Sequence, residues 1–491
     1  MLFIGIDLGT SSTKLLLVDE KGSILNEVSK DYPLFFPHPG WSEQPAEGWW
    51  DACLAGIPEL IKGVDASQIV GIGAGGQMHG LVTLDKDDKT IRPAILWNDG
   101  RTAEETDYLN TVVGKEKLSK LTANIAFAGF TAPKILWMKK NEPENFERIA
   151  KIMLPKDYVN YMLTGVHSCD YSDASGMLLL DVEHKCWSKE MLEICDVKEE
   201  QMPKLFESYE VIGTVKPDVA AKLGLNEGVK VVAGAGDNAA AAIGTGTVGD
   251  GHCNISLGTS GTIFISSKKF GVDPLNSLHA FAHADGAYHL MGCMLSAASC
   301  NKWICSDILE TTDFKAAYKD LTSDKFGKNH VYFLPYLMGE RSPINDTNAR
   351  GTFTGITMDT NRTDILQAVL EGVAFAFRDQ YEIAKEIGVN ISRSTICGGG
   401  TKTQQWPVIM ANVLGIPLDL LKTEQGPGYG ACLLAMVGCG LYKDVETAAK
   451  DLVEIVDTIE PDPEIVKRYN IAYAKYKKIY PALKPVFPEI L

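Results

Sequence analysis

Two short segments far apart in the chain have nearly the same sequence. Residues 6–13 read IDLGTSST, and residues 255–262 read ISLGTSGT. Each lies between an apolar run and a β-branched run, which predicts a hairpin whose turn is Gly-Thr-Ser. Such a turn exposes backbone N–H groups and short hydroxyl side chains, so two of them are suited to binding one polyphosphate from opposite sides. The candidate phosphate-binding residues are Thr10, Ser11 and Ser12 in the first turn, and Gly258, Thr259 and Ser260 in the second.

The two segments differ at one position, where the first has Asp7 and the second has Ser256. A lone aspartate before a glycine is usually a turn former. A bare carboxylate beside a phosphate site would repel the ligand, so a metal ion is the simplest reason for its presence. Mg²⁺ keeps several waters and uses few protein carboxylates, so we expect Asp7 to act at Mg²⁺ through water. This asymmetry favours a phosphotransferase over a passive nucleotide-binding protein.

Asp237 is the second candidate carboxylate. It follows a predicted buried strand, residues 230–234, and precedes the alanine-rich segment 239–242. Aspartate is a good helix N-cap, and this interpretation needs no function. The nearby glycines and alanines would also let a ligand approach closely, so Asp237 could accept the proton of an alcohol during phosphoryl transfer. An aspartate of ordinary acidity would serve as that base, and the local sequence leaves the two interpretations equally balanced.

Two further segments carry polar side chains in glycine-rich surroundings. Residues 76–80 read GQMHG, and residues 96–101 read LWNDGR. The first offers hydrogen-bonding groups and a pliable thioether, which suit a polyol with apolar carbon faces. A lone histidine is more often structural, and Asn-Asp-Gly is ordinary turn chemistry. The candidate substrate-binding residues are Gln77, Met78, His79, Asp99 and Arg101.

A triple glycine, Gly398 to Gly400, lies between a predicted strand and a helix. Triple glycine often marks only a strand-to-helix turn. Here it would let the adenosine end of a nucleotide pass close to the backbone, with Gly399, Gly400 and Thr403 as candidate contacts. The chain has no Gly-x-x-x-x-Gly-Lys-Ser/Thr segment, so the P-loop class is excluded.

The bulk properties restrict the class of protein. A chain of 491 residues predicts two or more domains. Its formal charge of −16 argues against a nucleic-acid partner. The 11 cysteines lack the paired spacing of a zinc site, and together with the absence of a signal-like or membrane-spanning run they predict free thiols in the cytoplasm.

Strand and helix patterns alternate in both halves of the chain, which predicts an α/β fold with a mixed sheet in each domain. The four glycines between residues 244 and 251 predict a domain boundary, which divides the chain into residues 1–248 and 249–491. The longest amphipathic pattern covers residues 363–388 and predicts a helix ending on a glycine C-cap. These elements must position the candidate residues in a cleft between two similar domains.

The motifs together resemble those of the FGGY carbohydrate kinases over nearly the whole chain, with the region after residue 443 only weakly marked. The segments that carry the resemblance are GIDLGTS (5–11), WSEQ (41–44), GQMHG (76–80), ILWNDGR (95–101), LPKDY (154–158), GDNAA (236–240), SLGTSG (256–261), FLPYLMGER (333–341) and GGG (398–400). The resemblance implies two ribonuclease H-like domains of the actin, hexokinase and Hsp70 type, which close over a nucleotide and a sugar. It also implies a homodimer, which is common in the family.

The resemblance further implies functions for single residues. It implies Asp237 as the proton acceptor, Asp7 as an acidic residue near Mg²⁺ and phosphate, Met78 and His79 as a sugar-binding pair, and Asn238 beside the substrate. It implies ATP-dependent phosphorylation of D-xylulose to D-xylulose 5-phosphate, since Gln-Met-His with Trp-Asn-Asp-Gly-Arg is typical of that branch. A kinase for ribulose, gluconate or glycerol is the nearest alternative, and an actin- or Hsp70-like ATPase is the distant one. Residues 401–403 read Thr-Lys-Thr where relatives often carry alanine and serine, which weakens the nucleotide assignment there.

Overall fold

The computed structural model describes residues 1–422 and 426–490. Its first half contains one large sheet and several two-stranded pairs. The strands are β1 (Leu2–Leu8), β2 (Ser12–Asp19), β3 (Ile24–Asp31), β4 (Glu43–Gln44), β5 (Ile69–Gly76), β6 (Val82–Leu84), β7 (Ala94–Ile95), β8 (Lys151–Met153), β9 (Ser168–Asp170), β10 (Leu180–Asp181), β11 (Cys186–Trp187), β12 (Lys204–Phe206), β13 (Val211–Thr214), β14 (Lys230–Val232) and β15 (Ala235–Gly236). The α-helices are α1 (Ala46–Leu60), α2 (Ala103–Tyr108), α3 (Lys115–Thr122), α4 (Thr131–Asn141), α5 (Pro143–Glu147), α6 (Pro155–Thr164), α7 (Tyr171–Ala174), α8 (Lys189–Cys195), α9 (Pro217–Leu223) and α10 (Asp237–Gly244).

The second half repeats the plan of one large sheet with helices. Its strands are β16 (His252–Leu257), β17 (Gly261–Ser267), β18 (His279–Ala282), β19 (Tyr288–Met294), β20 (Tyr332–Leu334), β21 (Thr352–Thr354), β22 (Arg393–Cys397), β23 (Leu418–Leu421) and β24 (Ile455–Ile459). Its α-helices are α11 (Ala298–Lys302), α12 (Phe314–Ala317), α13 (Arg362–Glu386), α14 (Gln405–Leu414), α15 (Gly426–Gly438), α16 (Val445–Leu452), α17 (Pro463–Tyr476) and α18 (Ile479–Leu483).

Both large sheets are mixed and share one arrangement. In the first, β1 pairs with β2 antiparallel and with β5 parallel, and β5 pairs with β14 parallel. In the second, β16 pairs with β17 antiparallel and with β22 parallel, and β22 pairs with β23 parallel. Parallel strands end at the same edge of a sheet, which is where open α/β folds bind ligands. The predicted α/β fold with a mixed sheet in each half is confirmed.

The two hairpins were predictable from their turn chemistry, and both form. Leu8 pairs with Thr13 across the first turn, and Leu257 pairs with Gly261 across the second. Helix α13 is also present as predicted, and Gly388 beyond its end has a φ of +88°, which a glycine adopts without strain. The helix predicted after the triple glycine begins at Gln405, because Gly399–Lys402 form a short 3₁₀ turn first.

Helix α15 lies in the second half of the chain but packs on β1 and β5 of the first sheet. Three glycines allow the close approach. A Cβ atom on Gly5 would overlap the carbonyl oxygen of Gly428, and one on Gly73 would overlap that of Ala431, while Gly75 faces Pro427. The predicted boundary at residue 248 falls in the link between α10 and β16, yet the two halves interlock through this helix.

Within the described residues, no helix combines the length and apolar character needed to cross a membrane. All 11 cysteines are free thiols, as predicted.

Candidate active site

The candidate residues of the first half gather at the edge of the first sheet where β1, β5 and β15 end. Asp7 lies in β1 opposite Gly75, and it is half-buried. Burial raises the pKa of Asp7 to about 6, with the positive charge of Lys14 acting in the opposite direction. No hydrogen-bond donor contacts the Asp7 carboxylate within the described residues, so its oxygens remain available to a ligand.

Asp237 directly follows Gly236, which pairs with Gly76 at the end of β5. It is the first residue of α10, whose N-cap is Gly236, so the interpretation of Asp237 as an N-cap is wrong. Its only hydrogen-bond donors in the described chain are the backbone N–H and side-chain amide of Asn238, at 2.7 and 3.0 Å. Burial raises the pKa of Asp237 to about 7, and the charge of Asp7 contributes to the rise. An aspartate of ordinary acidity would have served as a base, and the Asp237 carboxyl is less acidic than that.

Side chains donate hydrogen bonds to the carbonyl groups of the first Gly-Thr-Ser turn. Tyr32 and Gln77 donate to the Gly9 carbonyl, and Gln44 donates to that of Thr10 at 2.6 Å. The Thr10 hydroxyl accepts from the Trp97 indole at 3.0 Å. The N–H groups of Thr10 and Ser11 bond no acceptor in the part of the chain that the structure describes. They are therefore free to bind an anion, and Ser12 begins the strand that follows.

The second turn lies at the end of β16. Its carbonyl groups accept from the next segment: Ala298 donates to Gly258, and Ala297 and Ser299 donate to Thr259. Thr259 and Ser260 are exposed, and their N–H groups have no acceptor within residues 1–422 and 426–490. Both predicted phosphate turns thus present unpaired donors, as an anion-binding turn requires.

Met78 and His79 lie beside Asp237. The side chain of Met78 is buried against Gly236, where a Cβ atom would lie 3.0 Å from its sulfur. His79 has a φ of +71°, and its carbonyl accepts from Lys134 at 2.9 Å and from Thr131 at 3.1 Å. These two donors hold the His79 backbone in its left-handed conformation.

The hydrogen bond of His79 fixes its tautomer. Nδ1 lies 2.8 Å from the carbonyl oxygen of Gly176, and a carbonyl only accepts, so Nδ1 carries the proton. Burial, with the positive charges of Lys134 and Arg341, lowers the pKa of His79 to about 3. The ring is therefore neutral at physiological pH, and Nε2 is an acceptor for a hydroxyl group.

Asp99 and Arg101 form an ion pair with each other. Asp99 accepts from the Ser42 N–H at 2.6 Å and from three donors of Arg101 at 2.7–2.9 Å. Each carboxylate oxygen thus has two donors, which uses both of its lone pairs. The Arg101 guanidinium also stacks 3.7 Å from the centre of the Trp41 ring. This geometry gives both residues a structural function, and a sugar contact through them stays a prediction.

On the second sheet, the triple glycine packs against the second turn. A Cβ atom on Gly398 would lie 3.1 Å from the Gly258 nitrogen, Gly399 is exposed, and Gly400 is buried. Thr403 is buried and accepts from Asn301 at 3.3 Å, so its hydroxyl already has a partner. The nucleotide contacts proposed from the sequence remain predictions.

A cavity of about 280 Å³ joins the two halves. It is lined by residues of α10, the second sheet and the N-terminus of α15, among them Asn238, Asn254, Ser256, Thr262, Gly398 and Gly426. A larger cavity of about 460 Å³ lies further along the second sheet, beyond Thr245, and contains the Arg393–Asp419 ion pair at 2.7 Å. Asn238 is the candidate site residue that lines the smaller cavity, and none lines the larger one, so we place the site beside the smaller cavity.

Beneath Asp237 lies a buried ionic cluster that the local sequence did not reveal. Lys156 contacts Asp157, Asp170 and Asp173 at 2.6, 3.1 and 3.8 Å. The Gly236 N–H donates to the Ser172 hydroxyl at 3.2 Å, and that hydroxyl donates to Asp170. The cluster therefore supports the residue before Asp237. The Leu154-Pro-Lys-Asp-Tyr segment was the available signal, because adjacent charges in an apolar context indicate a buried pair.

The oxygen atoms at this edge suit Mg²⁺. The Asp7 carboxylate has no hydrogen-bond donor among residues 1–422 and 426–490, and carboxylate oxygen is a preferred ligand of this hard cation. No group of three or more His, Cys, Asp or Glu residues in the described chain forms a complete cage. A site of one or two carboxylates completed by phosphate oxygens and water is the usual arrangement for Mg²⁺.

Both halves of the chain match domains of known proteins. Residues 2–244 match the N-terminal domain of the FGGY family of carbohydrate kinases, and residues 253–439 match its C-terminal domain. A xylulose kinase from Escherichia coli (strain K12) is 37% identical over 493 residues, which cover 99% of this chain and 100% of that protein.

Solved structures share the whole arrangement. A xyloylose kinase from Brucella ovis superposes with a TM-score of 0.93 at 39% identity, covering 99% of this chain and 100% of that one. A gluconate kinase from Lactobacillus acidophilus also reaches a TM-score of 0.93, at 28% identity, covering 100% of this chain and 99% of that one. The similarity thus extends over both domains and the crevice between them.

Proposed function

Because the chain belongs to the FGGY family of carbohydrate kinases, we propose that it transfers the γ-phosphoryl group of ATP to O5 of D-xylulose. The products are D-xylulose 5-phosphate and ADP. Its two domains have the ribonuclease H-like fold of actin, hexokinase and Hsp70. The observation that carries the proposal is the position of Asp237, a carboxyl with few partners. It directly follows Gly236, which faces Met78 and pairs with Gly76, and Gly76 in turn pairs with Leu8 just before the first phosphate turn.

Asp237 is the general base of this reaction. Its carboxylate accepts the proton of the O5 hydroxyl while O5 bonds to the γ-phosphorus and the bond from that phosphorus to the β,γ-bridging oxygen breaks. A raised pKa, about 7, suits this function, because a base is most effective when its pKa lies near the working pH. Asn238 orients the carboxylate by two hydrogen bonds to one oxygen, which leaves the other oxygen to face the alcohol.

The two Gly-Thr-Ser turns bind the polyphosphate through their unpaired N–H groups. Phosphoryl transfer depends mainly on positioning and on neutralising charge, which fixed backbone donors provide. Asp7 would hold Mg²⁺ through water, and the ion would neutralise negative charge on the phosphate oxygens. The N-terminus of α15, which lies beside Asp7, adds the positive end of a helix dipole to the same region.

The sugar is bound at the loop of Met78 and His79. Neutral His79 accepts a hydroxyl proton at Nε2, and the Met78 thioether packs against the carbon chain. Gln77 is buried and bonds the Gly9 carbonyl, so it joins the sugar loop to the phosphate turn. Closure of the two domains over both substrates excludes water and so limits hydrolysis of ATP.

An acceptor screen tests this function directly. ADP release is measured with ATP, Mg²⁺ and either D-xylulose, D-ribulose, D-gluconate, glycerol or no acceptor, and phosphorus NMR identifies the phosphorylated oxygen. We expect D-xylulose to give the highest kcat/KM and O5 to be the site. Gluconate is the acceptor to compare most closely, since a gluconate kinase shares the fold at 28% identity. ADP release without any acceptor would favour an actin- or Hsp70-like ATPase instead.

We also propose a cytoplasmic location, which the free state of all 11 cysteines supports. A homodimer remains a prediction from the family, and light scattering of the purified chain tests it.

A further inference from the structure

The side chain of Arg341 differs in its hydrogen bonding from the other arginines that are at least half-buried. Each of those donates to a carboxylate or a carbonyl: Arg92, Arg101, Arg350, Arg378, Arg393 and Arg468. The half-buried Arg341 guanidinium has no hydrogen-bond acceptor within residues 1–422 and 426–490. The guanidinium stacks on the Phe127 ring, whose centre lies 4.6 Å from Cζ. An aromatic face leaves the in-plane N–H donors of a guanidinium unused.

The residue next to Arg341 does not neutralise it. The Glu340 carboxylate accepts from the Leu295 and Arg341 backbone N–H groups at 2.8 and 2.7 Å. Ser342 donates to the Cys293 and Ser277 carbonyls at 2.9 and 2.8 Å. These bonds fix the backbone on both sides of Arg341 to the second domain. The backbone is therefore anchored, while the guanidinium that it carries has no acceptor in the described part of the chain.

The guanidinium packs on an aromatic cluster that extends to the sugar loop of the first domain, residues 76–80. Phe127 lies 5.4 Å from Phe130, and Phe130 lies 4.7 Å from the His79 ring, measured between ring centres. Arg341 thus lies at one end of an aromatic cluster whose other end is His79. The positive charge of Arg341 also contributes to the lowered pKa of His79, after burial and Lys134, which agrees with this placement.

We propose that Arg341 is a substrate-binding residue, which the second domain supplies to the sugar in the first. It donates hydrogen bonds to oxygen atoms of the acceptor sugar at the end that His79 contacts. This inference rests on the proposed function and names a residue of that same site. The two side chains are complementary, because His79 accepts a hydroxyl proton at Nε2 and a guanidinium only donates. Sugar binding therefore favours the closed arrangement of the domains.

Two substitutions and one control test the proposal. Arg341→Gln removes the charge, Arg341→Lys keeps it, and Arg362→Gln removes an exposed arginine at the start of α13. We expect Arg341→Gln to raise the KM for D-xylulose about 10- to 100-fold, the usual effect of losing hydrogen bonds from a charged donor. Arg341→Lys should show a smaller rise. The KM for ATP and the melting temperature should match those of Arg362→Gln.

A binding measurement separates this function from a structural one. D-xylulose is titrated into each variant without nucleotide, and binding is followed by calorimetry. Weaker sugar binding by Arg341→Gln at an unchanged melting temperature supports the proposal. Unchanged sugar affinity, or an equal loss of ATP and sugar affinity, overturns it. If the wild type and Arg362→Gln do not phosphorylate D-xylulose, the proposed function fails separately, and the same titrations with the acceptor found in the screen decide the function of Arg341.

Discussion

Asp7 and Asp237 lie at the same edge of the first sheet with one strand between them. Asp7 pairs with Gly75 of β5, and Asp237 follows the partner of Gly76. Burial raises the pKa of Asp237 to about 7, and the charge of Asp7 contributes to that rise. Ionisation of one carboxyl therefore opposes ionisation of the other.

This pair predicts the pH dependence of activity. A general base must be ionised, so kcat/KM for the sugar should rise with pH, with a midpoint at about pH 7, and then reach a plateau. Asp7→Asn should lower the midpoint of the rise in its residual activity, because it removes one source of the raised pKa. Rates from pH 5.5 to 9 at saturating ATP measure both. A profile that is flat between pH 6 and 8 would contradict the assignment of Asp237.

Asp237→Asn should reduce kcat about 10²- to 10⁴-fold, the range that a positioned general base contributes. The affinity for ATP should change little, because Asp237 is not part of either phosphate turn. Asp379→Asn is the matched control: Asp379 also has a pKa raised to about 7 by burial, but it accepts from Tyr473 in the second domain. Single-turnover rates compare the two. An equal loss in both variants would indicate a general effect of removing a buried carboxyl.

Asp237→Asn should also change the thermal stability of the protein, and the size of the change should depend on pH. The folded pKa of Asp237 lies above its ordinary value of 3.8, so the folded state binds this proton more tightly than the unfolded chain. Its contribution favours folding at low pH and is lost as the pH rises through about 7. Asp237→Asn should therefore melt at a higher temperature than the wild type at pH 8, with a difference that shrinks towards pH 4. Calorimetric scans across this pH range measure the two melting temperatures. A difference between them that does not change with pH would contradict the prediction.

The buried cluster beneath Asp237 should be essential for stability. Burial works against the charge of Lys156, but the three neighbouring carboxylates hold its pKa well above the usual range. Lys156→Met leaves those carboxylates without a counter-charge and should reduce the free energy of unfolding by about 3–5 kcal/mol. Lys117→Met, which removes an exposed pair with Glu190, should cost less than about 1 kcal/mol. Guanidinium chloride unfolding measures both, and equal losses would refute the special position of Lys156.

The contact between α15 and the first sheet can be tested with alanine. Gly73→Ala places a methyl group against the Ala431 carbonyl, which has no space for it. We expect a lower melting temperature and weaker ATP binding, because the N-terminus of α15 lines the crevice. Gly48→Ala, in helix α1 with open space around the new methyl group, should instead stabilise by about 0.5–1 kcal/mol. Thermal scans and nucleotide titrations of both variants measure these effects. A Gly73→Ala variant with the melting temperature and ATP affinity of the wild type would contradict the expected crowding.

Much of the architecture could be predicted from local signals. The two hairpins follow from Gly-Thr-Ser between apolar and β-branched runs, and α13 follows from its apolar period and the glycine beyond its end. These features depend on residues close together in the chain. The raised pKa of Asp237 could not be predicted, because it depends on burial by segments distant in sequence.

Asp99 and Arg101 illustrate the other limit. Their types and spacing suit a substrate site, and nothing in a sequence distinguishes a free charge from a paired one. In the structure they bond each other, whereas the free guanidinium belongs to Arg341, more than 200 positions away. The functional contrast between these two arginines depends on tertiary neighbours alone.

The crossing of α15 onto the first sheet has a consequence during synthesis. While the ribosome makes this protein, β1 and β5 emerge early, but the helix that covers them emerges only near the end of translation. The glycine-lined face of the sheet stays open until then and is a natural target for chaperones. A fragment ending at residue 248 would keep that face open permanently, so it should aggregate when made alone and recover when co-expressed with the remaining fragment.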